Sequence, residues 1–401
     1  MPATRTIVIA GAGIGGLTAA LALAARGFSV IILERADRLE EAGAGLQLSP
    51  NASRVLIDLG LRDALAARAV TPDNIRIMST ASGEVIRLPL GDAASGRAGA
   101  PYWVIHRADL QAALLAQVQA TPAIELRLGC RFEALTANGG RAGIRTVSGA
   151  ETFHTAADAL IGADGVWSTV RQQICPAIQP GISRRIAWRG TLDAAQVSPR
   201  HIRDVQLWMG PNAHVVAYPM SGGDRVNVVA IITGDWSEPG WSAPGDPREI
   251  ASPFAGRWPG GLPDMIRAVP EWRRWALFTM PDGGVWSPNT QQPMPVALLG
   301  DAAHAMLPFA AQGAGMAIED AAVLADCVGA PSGDPSALAA ALGRYQALRQ
   351  PRVLRVQRTA RQSGRIYHLG GPVALARDLS MRLLGARRLQ ARQDWIYDWK
   401  A

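Results

Sequence analysis

The feature that most constrains this chain is the stretch from Thr6 to Glu34, TIVIAGAGIGGLTAALALAARGFSVIILE, where a strand, a glycine loop, a helix and a second strand follow without a break. Ile7, Val8 and Ile9 make a short apolar strand, and Gly11, Gly13 and Gly16 follow in G-x-G-x-x-G spacing. The first glycine permits the tight turn, the second lets a pyrophosphate approach the backbone, and the third lets the helix pack closely on the strand. Bare N–H groups at the helix start then face the phosphates. Leu17, Ala20, Leu21 and Leu23 carry the helix to a stop at Gly27, and Val30 to Leu33 form the next strand. Glu34 closes that strand, where an acid roughly 20 residues past the glycines holds a ribose hydroxyl pair. The order of these parts points to dinucleotide binding and leaves the dinucleotide open.

At 401 residues the chain exceeds what one hydrophobic core usually holds, so two domains are expected, and 48% apolar residues suffice for a large core. The N-terminal apolar stretch is broken by glycines and Arg26, which reads as neither a signal peptide nor a membrane span. Cys130, Cys175 and Cys327 are far apart and outside metal-ligand spacing, which suggests buried free thiols, no metal and a cytoplasmic location. The net charge of +7 is concentrated at the end: from Arg344 onward 12 Arg and one Lys face three Asp. Arg349, Arg352, Arg355, Arg358 and Arg361 recur at steps of three on what reads as a solvated helix face. Attraction of an anionic cofactor or a membrane surface is the alternative, and no nucleic-acid motif accompanies the charge.

Along the chain, Gly43-Ala44-Gly45-Leu46-Gln47-Leu48-Ser49-Pro50-Asn51 reads as a loop into a helix. Its glycines permit close approach to a flat ligand, or it is an ordinary loop capped by Ser49 or Asn51. Residues 75–90 read as a hairpin turning at Ser82-Gly83, and Arg107 opens a helix, where it can reach back to a phosphate or stand as a surface residue. IELRLGCRFEAL and IRTV read as strands around a Gly139-Gly140 turn, followed by a strand, Asp164-Gly165 and a helix that Ser168 and Thr169 can cap. From about 176 to 282 alternating strands replace helices. His214 and Tyr218 are four apart in AHVVAY and so share one strand face, either as a satisfied core pair or as the lining of a polar pocket. Arg189, beside Trp188, reads as a surface stack or an anion site. In PVALLGDAAHAMLPFAAQGAGMAIEDAAVLADCV a buried strand ends at Gly300-Asp301, and a turn through Pro308 leads to a glycine-rich helix entry, Gln312 to Gly315. Such an entry aims positive potential where an anion must form.

GAGIGG with Glu34, GADG at 162–165 and GDAAHAMLPFAAQGAGMAIEDA at 300–321 resemble the fingerprints of single-component, FAD-dependent aromatic hydroxylases. Within these the chain most resembles the salicylate, 3-hydroxybenzoate and 6-hydroxynicotinate monooxygenases, and the likeness spans nearly its whole length. The resemblance implies that Gly11, Gly13, Gly16, Glu34 and Arg35 hold the AMP half and pyrophosphate of FAD, with Leu128 in the same cofactor set. Arg107 is implied at the ribityl-pyrophosphate, Gly300 and Asp301 at the ribityl chain, and Asp164 and Gly165 at FAD and the nicotinamide cofactor. Gly45, Leu46, Gln47 and Gly313, Ala314, Gly315 would flank the isoalloxazine, and the Pro308 carbonyl would lie near a flavin hydroperoxide. Gln47, Arg189, His214, Tyr218 and Gln312 are the substrate candidates. His214 is expected to take the phenolic proton with a pKa near neutrality, and Tyr218 to relay it or orient the ring. Gln47 stands where the 6-hydroxynicotinate enzymes carry a histidine, which counts against that substrate, and Thr279-Met280 replace the acid and arginine common at the domain crossing.

The resulting expectation is an α/β protein. A discontinuous Rossmann-like FAD domain spans 1–73, 98–175 and 283–340, an antiparallel-sheet substrate domain spans 74–97 and 176–282, and a helical segment spans 341–401. It would hydroxylate a phenolic or heteroaromatic acid with NADH or NADPH and O2, and a homodimer stays open. The rivals are a flavin monooxygenase of a purine, quinone precursor or isoprenoid, and a flavin redox sensor that hydroxylates nothing.

Overall fold

The computed structural model describes residues 5–39, 45–90, 99–138, 141–198, 202–288, 292–330 and 335–401. Gly43, Ala44 and the Gly139-Gly140 turn lie outside them. Strand β1 (Thr6–Ala10) is apolar along its length because both of its faces are covered, the signature of a parallel sheet. It pairs in parallel with β2 (Ser29–Leu33) on one side and β11 (Ala159–Gly162) on the other. β7 (Ile124–Arg127) and β18 (Val296–Leu298) complete a five-stranded sheet ordered β18-β11-β1-β2-β7. The helix Ile14–Ala24 packs on the helix Gly313–Val328.

The second large sheet has eight strands, whose order across the sheet is that of the segments 242–245, 272–279, 181–193, 225–233, 213–220, 205–210, 74–79 and 83–89. They are β4 (Asn74–Ser79), β5 (Gly83–Pro89), β12 (Gly181–Asp193), β13 (Val205–Gly210), β14 (Ala213–Met220), β15 (Arg225–Thr233), β16 (Ser242–Gly245) and β17 (Trp272–Thr279). Every pairing is antiparallel except β13 with β4, which run parallel because the hairpin arrives from a distant part of the chain. The side-chain period of two gives this sheet unlike faces. Trp188, Val215, Ala217, Val228 and Ala230 enter a core closed by the helices Pro247–Ala251 and Leu262–Ala268, while the residues between them turn to the opposite face.

Three strands were not legible as such. Gly45–Leu48 forms β3, paired antiparallel with β6 (Trp103–His106), where the sequence reads as a loop. Glu151–Ala156 forms β10, the edge of a small sheet with β8 (Arg131–Asn138) and β9 (Arg141–Ser148). The long helices Pro335–Tyr367 and Gly371–Tyr397 close the molecule, and among the described residues no helix is long and apolar enough to cross a membrane.

The arginine steps on the first of these helices are only in part the solvated face that their spacing suggests: Arg355 and Arg358 are exposed, but Arg349 and Arg352 are not. Arg349 is buried between Glu319 and Asp320, Arg352 pairs with Glu319 and lies over Trp395 and Trp399, and Arg355 stacks 3.8 Å from the Trp395 ring centre. Acids on the Gly313–Val328 helix, too remote in sequence to enter a local charge pattern, meet Arg349 and Arg352 and draw them in, while Arg355 and Arg358 stay exposed.

Candidate active site

A cavity of about 300 Å³ opens between the two sheets, and its lining joins stretches from the whole chain. From the first sheet come Gly13, Gly165, Gly300 and Asp301. Gly45, Leu46, Gln47 and Arg107 line one side, and Pro308, Gly313 and Ala314 another. Across from them the second sheet presents Arg189, His214, Val216, Tyr218, Val229 and Ile231. The register explains this face. Arg189 lies beside Val229 and Val229 beside Val216, with His214–Ile231 and Tyr218–Asn227 as the flanking pairs. His214 and Tyr218 therefore share a face as their spacing requires, and that face is the cavity wall.

The first sheet's side is suited to a large anion. Neither Gly13 nor Gln312, the caps of the two neighbouring helices, receives a side-chain cap bond, and neither first turn carries an acid. The N–H groups at both starts are thus left to a ligand. A Cβ at Gly13, Gly165 or Gly313 would meet nothing within 4 Å, so these glycines leave room beside the cavity. Gly11 and Gly16 serve the backbone instead: a Cβ on Gly11 would stand 2.4 Å from the Ala163 oxygen, and one on Gly16 2.0 Å from the Gly11 oxygen. Gly45 makes room for a side chain, since its Cβ would lie 2.5 Å from the Tyr218 ring.

Several expected site residues lie outside the cavity lining. Glu34 accepts hydrogen bonds from the Ala12 and Ala36 N–H groups at the end of β2, with Arg35 and Leu128 exposed nearby. Asp164 accepts from Thr169 and Val170 N–H and so caps the helix Thr169–Ile174, while its second oxygen is buried without a partner and burial raises its pKa. Gln312 donates to Ser49 and accepts from Asn51, which fixes the helix entry, and both ends of its amide are taken up by these bonds. Gly315 sits in the same network, where its Cβ would be 3.0 Å from the Gln312 oxygen.

Charge on the substrate side is unusual. Arg189 is partly buried, stacks over Trp275 at 5.4 Å, and forms no ion pair with a carboxylate among the described residues. Its Nε is buried without a partner, and burial lowers its pKa. Burial also raises the Tyr218 hydroxyl, with Arg189 opposing. His214 departs from the expected near-neutral value. Burial, then His368 and Arg185, push it well below the ordinary histidine value, so it is neutral at physiological pH and a weak base. His368 Nε2 lies 2.7 Å from His214 Nδ1, and sequence reading did not single it out. It follows a helix 154 positions away, and no spacing could have signalled the contact.

Residues 4–360 match the family model described as FAD binding domain. The chain belongs to that FAD-binding family. It is 38% identical over 399 residues to the 3-amino-4-hydroxybenzoate 2-monooxygenase PtmB3 of Streptomyces platensis, covering 98% of this chain and 96% of the relative. It is 35% identical over 401 residues to the 3-hydroxybenzoate 6-hydroxylase of Polaromonas naphthalenivorans (strain CJ2), covering 99% and 97%. A salicylate hydroxylase solved as a substrate complex superposes with a TM-score of 0.81 at 24% identity, covering 100% of this chain and 97% of that one, which establishes the shared fold. The protein is thus an FAD-dependent monooxygenase, and its uncapped helix starts and open glycines fit the cofactor's pyrophosphate and flavin ends.

Proposed function

We propose that this FAD monooxygenase hydroxylates a phenolic or heteroaromatic acid of the hydroxybenzoate kind, with NADH or NADPH as reductant and O2 as oxidant. The observation that carries the reading is Arg189, a cation on the cavity wall that no carboxylate of the described chain neutralises, in a row with apolar Val229 and Val216 and flanked by His214 and Tyr218. An arginine stays charged even when burial lowers its pKa, so a site holding one calls for an anionic ligand group. The carboxylate of an aromatic acid answers that need, the two valines suit its ring, and His214 and Tyr218 suit its hydroxyl. When bound, the flavin supplies electron transfer and activation of O2.

The chain's own residues would then do the following. Gly13 gives the pyrophosphate its approach on a turn that Gly11 and Gly16 let close, Glu34 meets the ribose, and Gly300 and Asp301 hold the ribityl chain. The helix start at Gly313 and Ala314 favours negative charge on the flavin edge that faces it. Tyr102 donates to Gln47 at 2.6 Å, which supports a fixed orientation of the β3 backbone at the ring's edge. The division into a cofactor domain (1–73, 98–175, 283–340), a substrate domain (74–97, 176–282) and a helical segment (341–401) is our reading, supported by the separation of the two large sheets. Three free cysteines support a cytoplasmic location.

Incubation of the FAD-loaded protein with hydroxybenzoates, reduced nicotinamide and isotope-labelled dioxygen tests the reaction, with one labelled oxygen expected in the ring product. Arg189→Met should raise KM for the acid by about 10- to 100-fold, the worth of a charge-assisted hydrogen bond, and leave the corresponding benzamide little changed. Equal losses for acid and amide, or peroxide release with no ring oxygenation for any phenolic acid, would refute it.

A further inference from the structure

Two contacts beyond the cavity decide which nitrogen of His214 carries the proton. Arg185, on β12, has Nη1 3.0 Å from His368 Nδ1, and the Nε2 of His368 lies 2.7 Å from His214 Nδ1. A guanidinium can only donate, so His368 Nδ1 must be the acceptor. Neutral His368 then carries its hydrogen on Nε2 and donates it to His214 Nδ1. His214 Nδ1 is thereby an acceptor, and the hydrogen of neutral His214 sits on Nε2, the nitrogen left for a ligand in the cavity that the ring lines. Both rings are held neutral: burial and then Arg185 lower His368 to about 4, and Phe309 and Tyr367 pack on His214 with ring centres 5.2 and 5.4 Å away. Arg185 Nη1 is itself anchored by donating to Thr233 Oγ1 on the neighbouring strand.

We propose that Arg185, acting through His368, fixes His214 in the tautomer that presents an N–H to the cavity, making His214 a hydrogen-bond donor to an ionised substrate oxygen rather than the group that removes its proton. The opposite arrangement would need hydrogen on His368 Nδ1, which would face the guanidinium donor. The proton of a phenolic substrate accordingly leaves to solvent as the ring enters, favoured by the N–H at one end and the Arg189 cation at the other. Arg185 and His368 are positioning residues in this scheme, since their contacts reach the cavity only through His214. The inference rests on the proposed function for what His214 meets, but not for the tautomer itself.

Isotope-labelled histidine NMR of the FAD-loaded protein without substrate, near pH 7.5, distinguishes a ring nitrogen bearing hydrogen from a bare one. With six histidines in the chain, His214→Gln and His368→Gln assign the signals. Both rings should show hydrogen on Nε2 only. In Arg185→Met the His368 pattern should shift to a mixture of tautomers, with His214 following, whereas Arg185→Lys should restore the parent pattern. Hydrogen on Nδ1 of His214, a doubly protonated ring, or unchanged histidine signals in Arg185→Met would overturn the proposal. Correct tautomers in a protein that oxygenates no phenolic acid would count against the proposed function and leave the lock standing.

Discussion

Arg349→Met removes the cation at the centre of the buried network behind the helix entry. Arg349 Nη1 lies 2.7 Å from Glu319 Oε2, its Nε donates to Asp320 Oδ1 at 2.7 Å, and the three side chains are 1%, 0% and 0% exposed. Taking one partner from a buried pair costs about 3–5 kcal/mol, because the charge left behind is no longer compensated. Arg352 still pairs with Glu319 and His304 still lies 2.5 Å from Asp320, so a loss near the lower limit, about 3 kcal/mol, is expected. The loss should depend on pH. Burial alone would raise Asp320, but His304 and Arg349 outweigh it and hold the carboxyl to about 2. In the parent, the stability this contributes is present above the unfolded value of about 4 and is lost only as pH falls through about 2. Without Arg349 the burial effect gains, and the folded carboxyl shifts upward. The destabilisation should then be full near pH 8 and shrink toward about pH 5 as the carboxyl takes up its proton. Guanidinium unfolding of the FAD-loaded protein, followed by tryptophan fluorescence at both pH values, measures it. Cofactor retention should fall in parallel, since Glu319 accepts from Asn51, which in turn donates to Gln312 at the helix start. A loss under about 1 kcal/mol that does not change with pH would equate the network with exposed ion pairs and refute the reasoning.

Asp301→Ala should weaken FAD retention by about tenfold through the loss of one hydrogen bond to the ribityl chain, read by fluorescence titration of the apoprotein; unchanged affinity would remove Asp301 from the cofactor site. Gly45→Ala forces a Cβ to within 2.5 Å of the Tyr218 ring and should cost about 1–3 kcal/mol, with KM for the aromatic substrate rising as the tyrosine shifts, and a variant of parent stability and KM would disprove the packing argument. His214→Ala should still bind FAD and be reduced, yet give less hydroxylated product and more hydrogen peroxide per nicotinamide oxidised. Its deficit of about 10- to 100-fold should shrink as pH rises and the substrate ionises unaided, and equal coupling to the parent across that range would return His214 to the core.

What the sequence determined alone is whatever depends on neighbours along the chain. The turn at Gly11, the close helix approach at Gly16 and the alternation that puts His214 and Tyr218 on one face are all local consequences of backbone geometry, and each is found in the fold. Ser168 caps its helix as read, for the same reason. Tertiary structure decided what depends on contacts between remote segments. Gly45–Leu48 became a strand because Trp103–His106 came to lie beside it, and Arg349 was buried and Arg352 drawn inward because Glu319 and Asp320 faced them. Gln312 was drawn into a bond with Ser49, 263 positions away, so that it braces the helix entry. The state of His214 belongs to the same class: its spacing placed the ring on the cavity wall, but burial and the approach of His368 and Arg185 set its charge and hydrogen-bonding direction. Period and propensity carry no information about such partners, because their effect falls off over a few ångströms of space and bears no relation to distance along the chain.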